Sequence, residues 1–250
     1  MLAMLNDQLL ERYSRQILLP EIDLAGQENI RQAAVLIVGC GGLGSMVALF
    51  LAGAGVGKLT LVDADSVELS NLHRQLAFRE SDIGQPKAQA LENQLLALNS
   101  EIKVTSALRR FGDDAESDAE LLRDVDIVID ATDNLASRHA IERLTRNAQK
   151  PWIMGAATRL HGQVAAFSQS RAEGCYQCLA PSEGDSRVFD CRNEGILGPV
   201  IGVIAAWQAQ DALMFLSDQN LEWGVLRVYD AMRQRIDRLV VTPRDDCHTS

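Results

Sequence analysis

Residues 34–44 read AVLIVGCGGLG, an apolar run that breaks into glycines at 39, 41, 42 and 44. The next apolar run, KLTLVD at 58–63, closes on the carboxylate of Asp63. The order is strand, tight turn, helix start, second strand, acidic residue, which is the pattern of a nucleotide-binding doubly wound sheet. Glycines let backbone N–H groups approach phosphate oxygens, and a helix N-terminus behind them adds favourable partial charge. Asp63 stands where a carboxylate holds a ribose. A glycine-rich turn without a ligand is the alternative reading.

Working outward, helices and strands alternate. Residues 5–18 carry Leu9, Leu10, Tyr13 and Ile17 near helical spacing and predict a leading helix. Strands are expected at 35–38, 58–62, 102–106, 126–129 and 152–155. Helices are expected at 43–54, 87–98 (just after Pro86), 118–123 and 135–148. That alternation predicts a parallel sheet covered on both faces. After Gly162 the pattern changes: a strand at 163–167, a polar stretch at 168–199, a buried helix at 200–216, and paired strands at 224–229 and 234–241. The fold expected is therefore α/β, a Rossmann-like, mostly parallel sheet with an antiparallel C-terminal extension. No linker is evident, so residues 1–250 read as one domain, with a nucleotide-binding half at 1–160 and a second half at 161–250.

The bulk numbers narrow the class. A 250-residue chain that is 47% hydrophobic has ample core. Its net charge of −10 leaves no electrostatic footprint for nucleic acid, and no basic amphipathic segment suggests a membrane surface. The N-terminus turns polar within a few residues, unlike a signal peptide. The apolar run from Gly195 to Trp207 is too short to span a bilayer and ends at Gln208, Gln210 and Asp211. Five cysteines, an odd number, point to thiols or metal ligands in a cytoplasmic protein.

Ligands of open α/β sheets sit beyond the carboxyl ends of the strands. Asp63 and Asp65 fall there, as do Asp130, Asp133 and Asn134 after the run VDIVID. SNLHR at 70–74 and GQPK at 84–87 lie between them. One crevice edge would then collect backbone N–H donors, the cations Arg74 and Lys87, and the carboxylate of Asp133. A nicotinamide dehydrogenase uses the glycine turn and Asp63 but has no general need for two cations and a second carboxylate. Phosphoryl or nucleotidyl transfer does, because cations offset charge growing on phosphates and a carboxylate holds Mg²⁺. Taken singly, each has a plainer role: a solvated side chain for Arg74 or Lys87, a helix cap for Asp133-Asn134, a loop start for Asp65.

CYQC at 175–178 is a C-x-x-C knuckle suited to tetrahedral zinc, which normally needs four ligands. Cys191, Cys247 and His248 are the other candidates by type. Bare thiols, or a redox pair, are the alternatives. Cys191, beside Arg192, is a candidate nucleophile or an incidental loop thiol. Cys40, inside the glycine turn, is expected only to pack.

RYSRQILLP at 12–20, GCGGLG at 39–44, AGVGKLTLVDADSVELSNLHRQ at 54–75, GQPKA at 84–88, DATDN at 130–134, CYQC at 175–178 and GPVIGV at 198–203 occur together in this order. With these motifs the chain resembles the E1-like adenylyltransferases of the MoeB/ThiF group, which activate ubiquitin-like sulfur carriers. The resemblance implies ATP- and Mg²⁺-dependent adenylylation of the C-terminal Gly-Gly carboxylate of a small carrier protein, releasing pyrophosphate. It implies a nucleotide-binding set of Gly39, Gly41, Gly42, Gly44, Asp63, Asp65, Ser70, Asn71, Arg74, Lys87, Asp133 and Asn134. Gly42 would lie at the phosphates, Asp63 at the ribose, and Asp133 at Mg²⁺. Arg15 would reach the ATP site of a partner subunit, which implies a homodimer with composite sites. The second half would bind the carrier, and the sulfur donor would be a separate protein. Cys191 would match a cysteine of sulfur transfer. The family's zinc site draws on two C-x-x-C pairs; here Cys175, Cys178 and Cys247 are present, but Ser250 stands at the last position. The motifs lean slightly toward the molybdopterin branch over the thiamine branch. A nicotinamide-dependent oxidoreductase and a catalytically idle scaffold that binds ATP and a carrier remain the competing functions.

Overall fold

The computed structural model describes residues 6–180, 195–244 and 247. The chain opens with α1 (Asp7–Ile17) and α2 (Asp23–Gln32), then enters β1 (Ala34–Val38), α3 (Gly42–Ala54) and β2 (Lys58–Val62). It continues through α4 (Lys87–Leu98), β3 (Lys103–Ala107), α5 (Ala115–Arg123), β4 (Ile127–Asp130), α6 (Leu135–Asn147) and β5 (Trp152–Thr158). The second half holds β6 (His161–Phe167), the single-turn α7 (Tyr176–Leu179), α8 (Gly198–Leu216), β7 (Val225–Asp230) and β8 (Arg235–Val240).

These strands form one eight-stranded sheet in the order β3-β2-β1-β4-β5-β6-β7-β8. The pairs from β3 to β5 are parallel. Those from β5 to β8 are antiparallel. The sheet therefore switches from parallel to antiparallel where the alternating helix–strand pattern of the sequence stops. Every residue of β1 is buried because both faces of the sheet are covered. Val35 and Ile37 pack into a core shared with α3, α4 and α8, while Leu36 and Val38 pack into a second core with Ile141, Trp152 and Tyr176. Strand order reverses between β1 and β4, and both strands deliver their carboxyl ends to one crevice.

Several expected bounds differ from the structure. β5 runs three residues beyond Gly155, to Thr158, because it zips against β6 in a seven-residue antiparallel register. α2 carries only Gly26, Gln27 and Ile30 as buried positions, too thin an apolar stripe to read as a helix in sequence. α8 is, by length and composition, the one described helix long and apolar enough to cross a membrane. In the fold it is a core helix with Ile204, Ala205, Gln208 and Ala209 buried, and the Gln208 amide donates to the carbonyls of Asp130 (2.8 Å) and Ile153 (3.2 Å).

Candidate functional site

The glycine turn is built by steric necessity. Gly39 sits at φ 91°, and a Cβ there would lie 2.8 Å from the carbonyl oxygen of Ala131. A Cβ on Gly44 would overlap the Gly39 carbonyl, so α3 can seat this close to β1 only without a side chain. Gly41 precedes α3 with no capping side chain, leaving the helix's first N–H groups directed at the crevice. Gly39, Gly41 and Gly42 line a cleft of about 900 Å³. Gly44 is outside that lining, and the structure places it in the packing contact between α3 and the Gly39 carbonyl.

Asp63 leaves the end of β2 and ties the turn together. One carboxylate oxygen accepts from the Cys40 N–H (2.6 Å), the other from the Asp65 N–H (2.7 Å). Burial pushes its pKa above the ordinary carboxylate range, against the pull of those two N–H groups and of Lys87. Each oxygen keeps a lone pair for a ligand hydroxyl. Residues 66–67 pair with 85–86, and the Lys87 N–H donates to the Asp65 carbonyl (2.8 Å). That pairing sets Lys87 at the first position of α4, with its ammonium 3.0 Å from the Asp65 carboxylate. The Lys87 side chain is 9% exposed and that of Asp65 64%.

Asn71 is buried in a short 3-10 turn and accepts the Glu68 N–H (3.1 Å), which fixes the loop leading to Arg74. Arg74 donates to the Ser70 carbonyl (2.8 Å) and lies 2.9 Å from the His73 ring. Ser70 itself is exposed and outside the cleft lining; its hydroxyl donates to Glu68 (3.1 Å) and accepts from the Asn71 amide (3.4 Å), and its carbonyl steadies Arg74. On the opposite wall, Asn134 caps α6 by accepting the Ser137 N–H (2.9 Å) and leaves Asp133 exposed at the turn. The plainer reading of Asn134 as a cap is thus realised, while both residues line the cleft. Asp63, Asp65, Asn71, Arg74 and Lys87 line it too.

Arg138, Arg109 and Arg110, which no clear sequence pattern marks, also line the cleft. Arg138 is 1% exposed and pairs with the fully buried Asp130. Its signal was faint: an arginine four residues after a helix cap, following a strand that ends in aspartate.

Arg15 is exposed on the last turn of α1 and is absent from the cleft lining. Cys40 is buried, as expected of a packing residue, and burial raises its thiol pKa well above the ordinary value. Cys191, like Arg192, His248 and Ser250, lies outside the described residues. Cys175, Cys178 and Cys247 converge, with their sulfurs within 4.8 Å of one another. Cys175 is the N-cap of the single-turn α7 and Cys178 lies within that turn, inside the stretch that the sequence reads only as polar. Their sulfurs are 3.5 Å apart, near the ~3.8 Å edge of a zinc tetrahedron with Zn–S of about 2.3 Å. Burial works to raise the Cys178 thiol pKa, but backbone N–H groups, including that of Arg244 at 3.3 Å, hold it below its ordinary value. A thiolate there favours metal ligation.

The ThiF family profile matches residues 13–249. The chain is 40% identical over 243 residues to the sulfur carrier protein ThiS adenylyltransferase of Escherichia coli, covering 97% of this chain and 96% of that protein. It is 40% identical over 232 residues to the molybdopterin-synthase adenylyltransferase of Salmonella typhimurium, covering 92% of each. The solved structure of E. coli MccB with ATP superposes with a TM-score of 0.80 at 25% identity, over 98% of this chain and 74% of that one.

Proposed function

The chain belongs to the ThiF family, and from that premise we propose that it is an ATP-dependent adenylyltransferase that activates the C-terminal carboxylate of a small sulfur-carrier protein. The observation that carries the reading is the joint placement of the glycine turn, Asp63, Arg74, Lys87 and Asp133 around one cleft. Relatives at equal identity are named for the sulfur carrier protein ThiS and for molybdopterin synthase. The identity of the carrier therefore rests on its Gly-Gly tail and not on a branch.

In the reaction, a carrier carboxylate oxygen bonds to the α-phosphorus of ATP. The bond from that phosphorus to the bridging oxygen breaks, and its electron pair leaves with pyrophosphate. The attacking carboxylate is already ionised, so no protein base or nucleophile is needed. Asp63 accepts from the ribose hydroxyls, and the N–H groups at the start of α3 receive phosphate oxygens. Arg74 and Lys87 take up the charge that grows on the phosphates. Lys87 is suited to this because its stem is buried while its partner Asp65 faces solvent and can yield the ammonium to a phosphate. Asp133, an exposed carboxylate opposite the glycine turn, would hold Mg²⁺, which neutralises phosphate charge when bound.

Three further parts complete the reading. Arg15, exposed and outside the lining of its own cleft, would serve the site of a second copy, making the protein a homodimer. Cys175, Cys178 and Cys247 would hold a structural zinc that clamps the C-terminal segment to α7. A separate protein supplies the sulfur. The test is carrier-dependent exchange of labelled pyrophosphate into ATP: exchange with a Gly-Gly carrier supports the function, and none with either type of carrier in the presence of Mg²⁺ removes it.

A further inference from the structure

Helix α6 carries two charged side chains that no plain packing argument explains. Arg138 is 1% exposed and Glu142 is 2% exposed. With the cap residue Asn134 they stand four residues apart in turn, so they share one face of the helix. A buried ion pair adds little stability over apolar residues of the same volume. The contacts these two side chains make therefore invite another account.

Arg138 grips the turn between β4 and α6. One terminal nitrogen donates to the Thr132 carbonyl (2.8 Å) and reaches toward the Gly155 carbonyl (3.5 Å), while its Nε lies 3.6 Å from the Asp130 carboxylate. Asp130 in turn accepts from the Thr132 N–H (2.9 Å) and hydroxyl (2.7 Å). Thr132 is thus held from both of its peptide groups, and the next residue is Asp133. At the other end of the stripe, Glu142 accepts the Gln177 N–H (3.3 Å) inside the cysteine knuckle and lies beside the Cys175 thiol. Between them Tyr176, 1% exposed, sits with its hydroxyl near Arg138 and Asp130 and its ring edge-on to Trp152 (5.7 Å).

The geometry points to Arg138 as a positioning residue that fixes the Thr132–Asn134 turn, and to the α6 stripe as a rigid link through which the cysteine knuckle bears on that turn. Its meaning for catalysis rests on the function proposed above; its mechanical content does not. The knuckle and the nucleotide cleft are then one unit, so disturbing the thiol end loosens the carboxylate that faces the phosphates.

Two variants test this. Arg138→Lys keeps a cation for Asp130 but loses the planar fork that spans Thr132 and Gly155. Glu142→Gln is an isosteric change far from Thr132. Hydrogen exchange of the Thr132 amide is read in nucleotide-free protein, with the amides of β1 as the reference for global unfolding. Both variants should exchange at Thr132 about tenfold faster while β1 keeps its parent rates. With ATP, both should raise KM for Mg-ATP severalfold and leave the carrier KM unchanged. An unchanged Thr132 rate in Glu142→Gln overturns the link, even should Arg138→Lys fail to fold; an unchanged rate in folded Arg138→Lys overturns the positioning role. If Thr132 responds as expected but the parent enzyme shows no carrier-dependent pyrophosphate exchange, the functional proposal alone falls.

Discussion

Replacing Lys87 with methionine separates catalysis from folding. Methionine keeps a flexible apolar stem of similar length, so the buried methylene packing at the start of α4 survives. What is lost is the ammonium and its 3.0 Å pair with Asp65. Asp65 is 64% exposed on its side chain, so water screens that pair and its removal costs only about 0–1 kcal/mol of stability. The transition state suffers far more. A fixed donor directed at charge that develops during reaction is worth about 100–1,000-fold, or about 2.7–4 kcal/mol of barrier. The assay is carrier-dependent pyrophosphate exchange, set beside denaturant unfolding of the same preparation. Lys87→Met should lose about two to three orders of magnitude in exchange and at most about 1 kcal/mol of stability. Exchange within a few-fold of the parent would refute the charge-stabilising role. A loss of stability large enough to explain the lost activity would refute the separation.

Other expectations follow from the same contacts. Gly44→Ala places a methyl against the Gly39 carbonyl and should cost at least about 1–3 kcal/mol in denaturant unfolding while weakening Mg-ATP binding; normal values for both would contradict the close seating of α3. Asp63 has its pKa raised by burial, so the native state binds the extra proton; its contribution to stability is present below the ordinary value of 3.8 and is lost as pH rises through the raised value. Asp63→Asn should therefore flatten the fall of stability with pH just above that range, which unfolding curves at a series of pH values would show. The parent should carry about one zinc per chain by elemental analysis, and Cys247→Ser should lower zinc affinity by more than ~10-fold against a competing chelator; unchanged affinity would remove Cys247 from the ligand set. Arg15→Ala mixed with Asp133→Ala should recover exchange activity in heterodimers, and failure to complement would argue against shared sites.

Much of the cleft was legible because its parts lie within short stretches. The glycines of 39–44, the acidic end of β2 and the cation after Pro86 each sit at an element boundary that the hydrophobic pattern marks. Arg138 was not legible, since an arginine on a polar-looking helix reads as solvated until the sheet sets Asp130 beneath it. The closure of the cysteine set was likewise hidden. Cys247 reaches Cys178 only because the chain returns along β8 and Arg244 docks its N–H on the sulfur. The surroundings of Ser70 and Gly44 depend on a 3-10 turn and a helix–strand contact that no local pattern encodes.

The most direct test is a crystal structure with Mg-ATP bound. Arg74 and Lys87 should lie on phosphate oxygens, Asp63 on the ribose, and Asp133 on the metal, all within the cleft between the glycine turn and the start of α6. Nucleotide bound elsewhere, or these side chains turned away from the triphosphate, would contradict the proposed site.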